Sequence, residues 1–220
     1  HPALLEALAN DLAGHQFDLR HLIRVIMNSR TYQLSSRPNE TNRGDDINYS
    51  HNIVRRLTAE QLLDGQDAVA GVPPKFQGYP MGLRAGQLPG ARPARARGQR
   101  MGSSATDQFL ELFGKPPRLL TCECERSSET TMGQAFQMIT GPALNELLMH
   151  PSNRLSELLA SQKPNAEIVA DLYWTALTRA PSGLELAAAT SYLGKAKDRR
   201  LALEDVAWGL LNAKEFVLRE

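Results

Sequence analysis

The 220 residues carry 25 Lys and Arg against 24 Asp and Glu, so the chain has no global field of the kind that draws a protein onto nucleic acid or an anionic membrane. A hydrophobic content of 42% supplies apolar material for one large core or two small ones, while no apolar run approaches the ~20 residues that span a bilayer. The opening His1-Pro2-Ala3-Leu4 lacks the charged-then-apolar form of a secretory signal, and without an initiator Met the chain reads as a fragment or processed form.

Apolar spacing is helical from the start. Pro2 suits the first position of a helix, and Leu4, Leu5, Leu8 and Leu12 follow at i, i+3, i+4 steps. After Gly14, Leu19, Leu22, Ile23 and Ile26 line a second helix predicted to run to about Tyr32, so the two form a hairpin. His21 lies inside that amphipathic pattern and reads as a packed or surface residue rather than a ligand. Residues 35–50, rich in Ser, Asn, Arg and Asp, have no apolar period and read as a loop.

Thr58-Ala59-Glu60-Gln61 is a capping-box pattern, in which hydroxyl and amide satisfy orphan backbone donors, and it predicts a helix from 58 to about 70 that stops at Gly71. Residues 72–105 collect Pro and Gly with Arg84, Arg92, Arg95, Arg97 and Arg100 and contain no acidic residue. Such composition buries little apolar surface and predicts an irregular, partly mobile loop. It has the charge to meet phosphates or an acidic partner, but without interleaved aromatics it reads as a solvated linker.

Phe109, Leu112 and Phe113 mark a short helix over 106–114, stopped by Gly114 and Pro116-Pro117. Further on, Thr131-x-x-Gln134 caps a helix carrying Ala135, Phe136 and Ile139. Gly141-Pro142 opens another with Leu144, Leu147 and Leu148, and a third carries Leu155, Leu158 and Leu159. Ile168 to Leu177, a helix capped by Ser182-x-x-Glu185, and Leu203 to Leu211 complete the series. Trp174 and Trp208 fall in these helices and read as core. The expected fold is mainly α: an irregular multi-helix bundle with an N-terminal helical part (1–71), the Arg/Pro/Gly-rich loop (72–105) and a C-terminal helical part (106–220), together one domain.

Between two of these helices stands Cys122-Glu123-Cys124-Glu125-Arg126, which holds both cysteines of the chain. Side chains at i and i+2 share a face only in extended backbone, with Cα atoms ~6.6–6.8 Å apart, whereas in a helix of 3.6 residues per turn they diverge by about 200°. Cooperation of the thiols therefore requires a short extended segment around Cys122-Cys124. Three readings stay open. As zinc ligands the sulfurs would sit ~3.8 Å apart and need two more donors; His51 and His150 exist, but in no recognised spacing. A Cys122–Cys124 disulfide would lie at the edge of the allowed range and be strained. The favoured reading is two reduced thiols flanked by Glu and Arg that pair with neighbouring segments. No Gly-x-Ser-x-Gly, Gly-Lys-Ser/Thr phosphate loop, His-Glu-x-x-His or Cys-x-x-Cys-His is present.

The ordered set His-Pro-Ala-Leu-Leu-Glu-Ala-Leu-Ala, Leu-Ile-Arg-Val-Ile-Met-Asn-Ser-Arg-Thr-Tyr-Gln, Arg-Leu-Thr-Ala-Glu-Gln-Leu-Leu-Asp, Leu-Arg-Ala-Gly-Gln-Leu-Pro, Leu-Phe-Gly-Lys-Pro-Pro-Arg, Cys-Glu-Cys-Glu-Arg and Leu-Leu-Asn-Ala-Lys-Glu-Phe resembles a C-terminal domain of unknown function found in large planctomycete proteins. The resemblance covers essentially the whole chain. It implies the tail of a longer exported, extracytoplasmic or periplasmic polypeptide, with upstream domains as partners and c-type haem possible elsewhere in it; it implies no reaction and no oligomeric state. The expected function is thus a non-catalytic helical module packing against upstream domains, without a cofactor of its own, without nucleic acid and without a membrane-spanning segment. Two alternatives stand beside it: part of a redox or polysaccharide-processing enzyme, with Cys122, Glu123, Cys124, Glu125 and Arg126 as the functional cluster, or a metal-binding module using Cys122 and Cys124.

Overall fold

The structure, a computed structural model, describes residues 1–45, 47–90, 104–116 and 130–219. It is mainly helical, as expected, and its strands among the described residues are two residues long. The chain divides into two compact units, His1–Arg55 and Arg56–Arg219.

In the first unit Pro2 stands in the first turn of α1 (Pro2–Gly14), and His1 Nδ1 accepts from Leu4 N at 3.3 Å. Gln16 and Phe17 both take left-handed backbone (φ 56° and 61°) and reverse the chain. Asp18 then caps α2 (Leu19–Met27) by accepting from Arg20 N and His21 N. The hairpin is as predicted, but α2 stops at Met27 rather than near Tyr32. Asn28 Nδ2 donates to Arg24 O at 2.9 Å and Ser29 Oγ accepts from Tyr32 N at 3.2 Å, so side chains compete for the backbone groups that another turn would use. From there to the end of the unit no described residue is helical or part of a ladder until Arg55. Asp45 ties this stretch together: Ser50 Oγ and the backbone of Ile47, Asn48 and Ser50 donate to its carboxylate and hold it well below the usual range. No residue of α1 or α2 is buried.

The second unit opens and closes on a strand pair, β1 (Arg55–Arg56) with β2 (Leu218–Arg219). Its centre is α3 (Ala59–Ala70), started by the Thr58/Gln61 capping box and ended by Gly71 in left-handed backbone (φ 69°). Around α3 pack α4 (Ala105–Leu112), α6 (Pro142–Met149), α7 (Arg154–Ala160) and α8 (Asn165–Leu177). Next in the layer come α5 (Met132–Thr140), α9 (Gly183–Lys195), α10 (Arg199–Leu211) and α11 (Lys214–Val217). Leu62, Leu63, Phe109, Leu144, Ile168, Leu172, Leu203 and Leu211 are fully buried, and burial of each such side chain stabilises by about 1.5–3 kcal/mol. Helix α3, grouped by sequence with the N-terminal hairpin, belongs to this core.

Three expectations change. Residues 72–90 are not a solvated loop: Phe76, Ala85 and Leu88 are buried and Ala85–Gln87 forms a short 3-10 turn. The buried Lys115 makes this possible, since its Nζ donates to Ala85 O at 2.7 Å and Leu88 O at 3.1 Å and sits 3.5 Å from Glu60 Oε1. Helix α5 buries Gln134 and Met138 and leaves Phe136 and Ile139 exposed. Gln134 sets that rotation, donating to Leu112 O at 2.9 Å and accepting from Arg56 and from Thr131 N. Trp174 is 58% exposed rather than core, while Trp208 is half-buried with Nε1 donating to Ile139 O. Residues 91–103 and the expected extended segment around Cys122-Cys124 lie outside the described residues.

Candidate functional site

The five residues singled out from sequence, Cys122, Glu123, Cys124, Glu125 and Arg126, lie outside the described residues, so the thiol readings stand as they were. Inside the described structure the chemistry gathers elsewhere.

In the second unit, Asp64 and Asp67 project one turn apart from α3 into a cleft of about 310 Å³, walled by Gly71, Val72, Pro74 and Arg84. Asp64 is held by backbone: its Oδ1 accepts from Ala85 N at 2.6 Å and its Oδ2 from Gly86 N at 3.1 Å. Asp67 has no such donors. It is 6% exposed and its buried Oδ2 has no hydrogen-bond partner. Burial, reinforced by the negative charge of Asp64, pushes its carboxyl up to about 7. Two carboxyls on one helix face thus differ in environment: Asp64 is held by backbone N–H groups, whereas burial raises Asp67 toward neutrality. Chemically, the cleft can exchange a proton at Asp67 or receive a hydrogen-bond donor there. Sequence reading passed over both, because the burial of Asp67 is created by residues 72–84 folding across α3.

A second cluster joins α8, α9 and α11. Arg179 makes paired hydrogen bonds to Glu185 and to Glu215, with N···O distances of 2.6–2.9 Å, over the Tyr173 ring. Those bonds lower Glu185 to about 2 and lower Glu215 as well. With each carboxylate taken up by the guanidinium, this cluster is a clasp rather than a reaction centre.

In the first unit His21, read from sequence as a packed or surface residue, meets two other polar side chains. His21 Nε2 lies 3.0 Å from Asp11 Oδ2, and its ring stacks on His15 with centroids 3.7 Å apart. Asp11, His15 and His21 are, among the described residues, the group of three such side chains that could hold a metal ion. Only the Asp11/His15 spacing of four was visible in sequence. His1, His51 and His150 contribute nothing to it: His1 caps α1, His51 Nδ1 contacts Asn52 O and His150 Nδ1 accepts from Ser152 N.

A family model described as "Protein of unknown function (DUF1553)" matches residues 1–193. The chain belongs to this family. The DUF1553 match takes in the N-terminal hairpin and the Asp67 cleft, and ends within α9. Comparison of the DUF1553 chain with curated proteins and with solved structures finds no match. No helix among the described residues is long and apolar enough to cross a membrane.

Proposed function

We propose that the chain is a non-catalytic helical module that packs against upstream domains of the same polypeptide, using its N-terminal hairpin as the docking element. The observation that carries this is the state of α1 and α2. They bury no residue, yet Leu4, Leu5, Leu19, Ile23 and Met27 are each about half exposed or more. The apolar pattern that would build a core is therefore spread on a surface, and exposed apolar side chains in such number serve association. A pair of helices with no buried residue also lacks the main driving force for standing alone. The setting implied by the family resemblance is an exported, extracytoplasmic protein, in which c-type haem would sit in another domain.

The test is a charge placed on the stripe. Ile23→Glu combined with Ile26→Glu, made in a polypeptide carrying an upstream domain, is expected to expose the hairpin to protease. The melting transition of the second unit should stay within about 0.5 kcal/mol of its original stability, as surface substitutions do. A hairpin that stays as protease-resistant as before contradicts the proposal.

One observation favours a second reading, a contribution to an enzyme's active site, redox or polysaccharide-processing. It is Asp67, a buried carboxyl that lines a cleft and whose Oδ2 has no hydrogen-bond partner, the kind of group from which acid–base chemistry is built. Retained activity of such an enzyme after Asp67→Asn would remove that reading.

A further inference from the structure

We infer that the N-terminal hairpin binds one divalent transition-metal ion through Asp11, His15 and His21. The three side chains come from both helices and from the turn between them. Asp11 lies in the last turn of α1, His15 caps that helix, and His21 stands in the first turn of α2. Each offers one ligand atom, and the three atoms lie within 4.8 Å of one another. One of the separations already suits a shared ion: His21 Nε2 is 3.0 Å from Asp11 Oδ2, against about 3.3 Å between neighbouring ligands of a tetrahedral ion with ~2.0–2.1 Å bonds.

The backbone holds the group in place from several sides. His15 Nδ1 is 2.8 Å from Asp11 O; donating there fixes the tautomer and leaves Nε2 as the lone pair for an ion, the usual arrangement for a ligating histidine. Gln16 and Phe17, both in left-handed backbone, fold the chain so that His21 returns to α1, and Asp18 accepts from His21 N at 3.2 Å. His15 and His21 meet face to face with an interplanar angle of 20°.

Ligand chemistry selects the ion. Two imidazoles and one carboxylate suit zinc, cobalt, nickel, copper or iron rather than magnesium or calcium, which take oxygen donors. Three protein ligands leave a coordination position free, and the His15 side chain is 50% exposed, so that position opens to solvent. The ion also answers a structural need. A unit whose two helices bury no residue gains from a metal clip what small domains without a core obtain that way. The ion would staple α1 to α2 across the turn, which goes beyond docking and is independent of it.

The experiment uses the full chain with Cys122→Ser and Cys124→Ser, so that no thiolate competes, titrated with Zn²⁺ by calorimetry and with Co²⁺ by visible absorption. One equivalent is expected, with cobalt bands lacking thiolate charge transfer. Asp11→Asn and His21→Ala should each weaken binding at least ~10-fold, the smallest loss usual for an altered metal site. Because either change can loosen the hairpin by itself, the half-exposed His15→Gln is the second test and should weaken binding to a similar extent with unchanged helical circular dichroism. Absence of stoichiometric binding by the Cys-free chain, or unweakened binding by the His21→Ala or His15→Gln variant, overturns the assignment.

Discussion

Asp67→Asn raises the stability of the second unit at pH 8 and leaves it nearly unchanged at pH 3.5. The sign follows from the folded-state carboxyl being pushed up to about 7 by burial and by Asp64. A group whose pKa rises on folding contributes stability that is fully present below the unfolded value, near 3.8, and is lost as pH climbs through about 7. Above that range the folded protein carries an ionised, buried carboxylate whose Oδ2 has no partner, and this costs free energy that an amide of the same shape does not. The gain expected at pH 8 is about 2–4 kcal/mol at each pH-unit value of 1.36 kcal/mol. Thermal melts of both proteins at several pH values read it directly. Parallel curves for variant and parent, or a variant less stable at pH 8, would mean that a donor reaches Asp67 and that the cleft is not poised as described.

Lys115→Met destabilises the second unit by about 3–5 kcal/mol, the usual cost of leaving one partner of a buried ion pair behind. The Lys115 side chain is 3% exposed, Glu60 beside it 12%. Methionine fills the stem's space but supplies no donor, so Ala85 O, Leu88 O and Glu60 all lose the ammonium. Pairing the change with Glu60→Gln should restore part of the loss, because the carboxylate that faced the ammonium goes while Leu88 O still lacks that donor. The effect also reaches the cleft. Lys115 fixes the turn whose Ala85 and Gly86 N–H groups grip Asp64, so amides near residues 84–88 should exchange faster in the variant. Chemical denaturation and exchange together check this; a loss under about 1 kcal/mol, the worth of a surface pair, would contradict the buried-pair account.

Local signals made most of the helices legible. Thr58/Gln61, Thr131/Gln134 and Ser182/Glu185 all form the capping boxes their spacing announces, because a cap is closed within four residues and needs nothing from the rest of the chain. Where a helix turns its face is decided elsewhere. Apolar period alone turned Phe136 and Ile139 inward; the bonds from Gln134 to Leu112 and Arg56 turn them out. Residues 72–90 looked like a linker by composition, yet one distant lysine and one aspartate satisfy their backbone and let Phe76 and Leu88 enter the core. The candidate sites share this non-local origin. Asp67 is an ordinary polar helix residue until residues 72–84 cover it. Asp11, His15 and His21 are separated by a turn whose left-handed Gln16 and Phe17 carry no glycine or asparagine to announce it. The cysteine motif, the clearest chemical signal in the sequence, falls outside the described residues.

Hydrogen exchange across residues 4–27 bears most directly on the docking role of the hairpin. It is measured with chelator present, so that any metal clip is absent, in the 220-residue chain and in a polypeptide carrying an upstream domain. If α1 and α2 are a docking element, their amides exchange rapidly in the shorter chain and at least ~10-fold more slowly beside the upstream domain, since each ~1.4 kcal/mol of added local stability slows exchange tenfold, while the core of the second unit is unchanged. Equal exchange of α1 and α2 in the two proteins would contradict it.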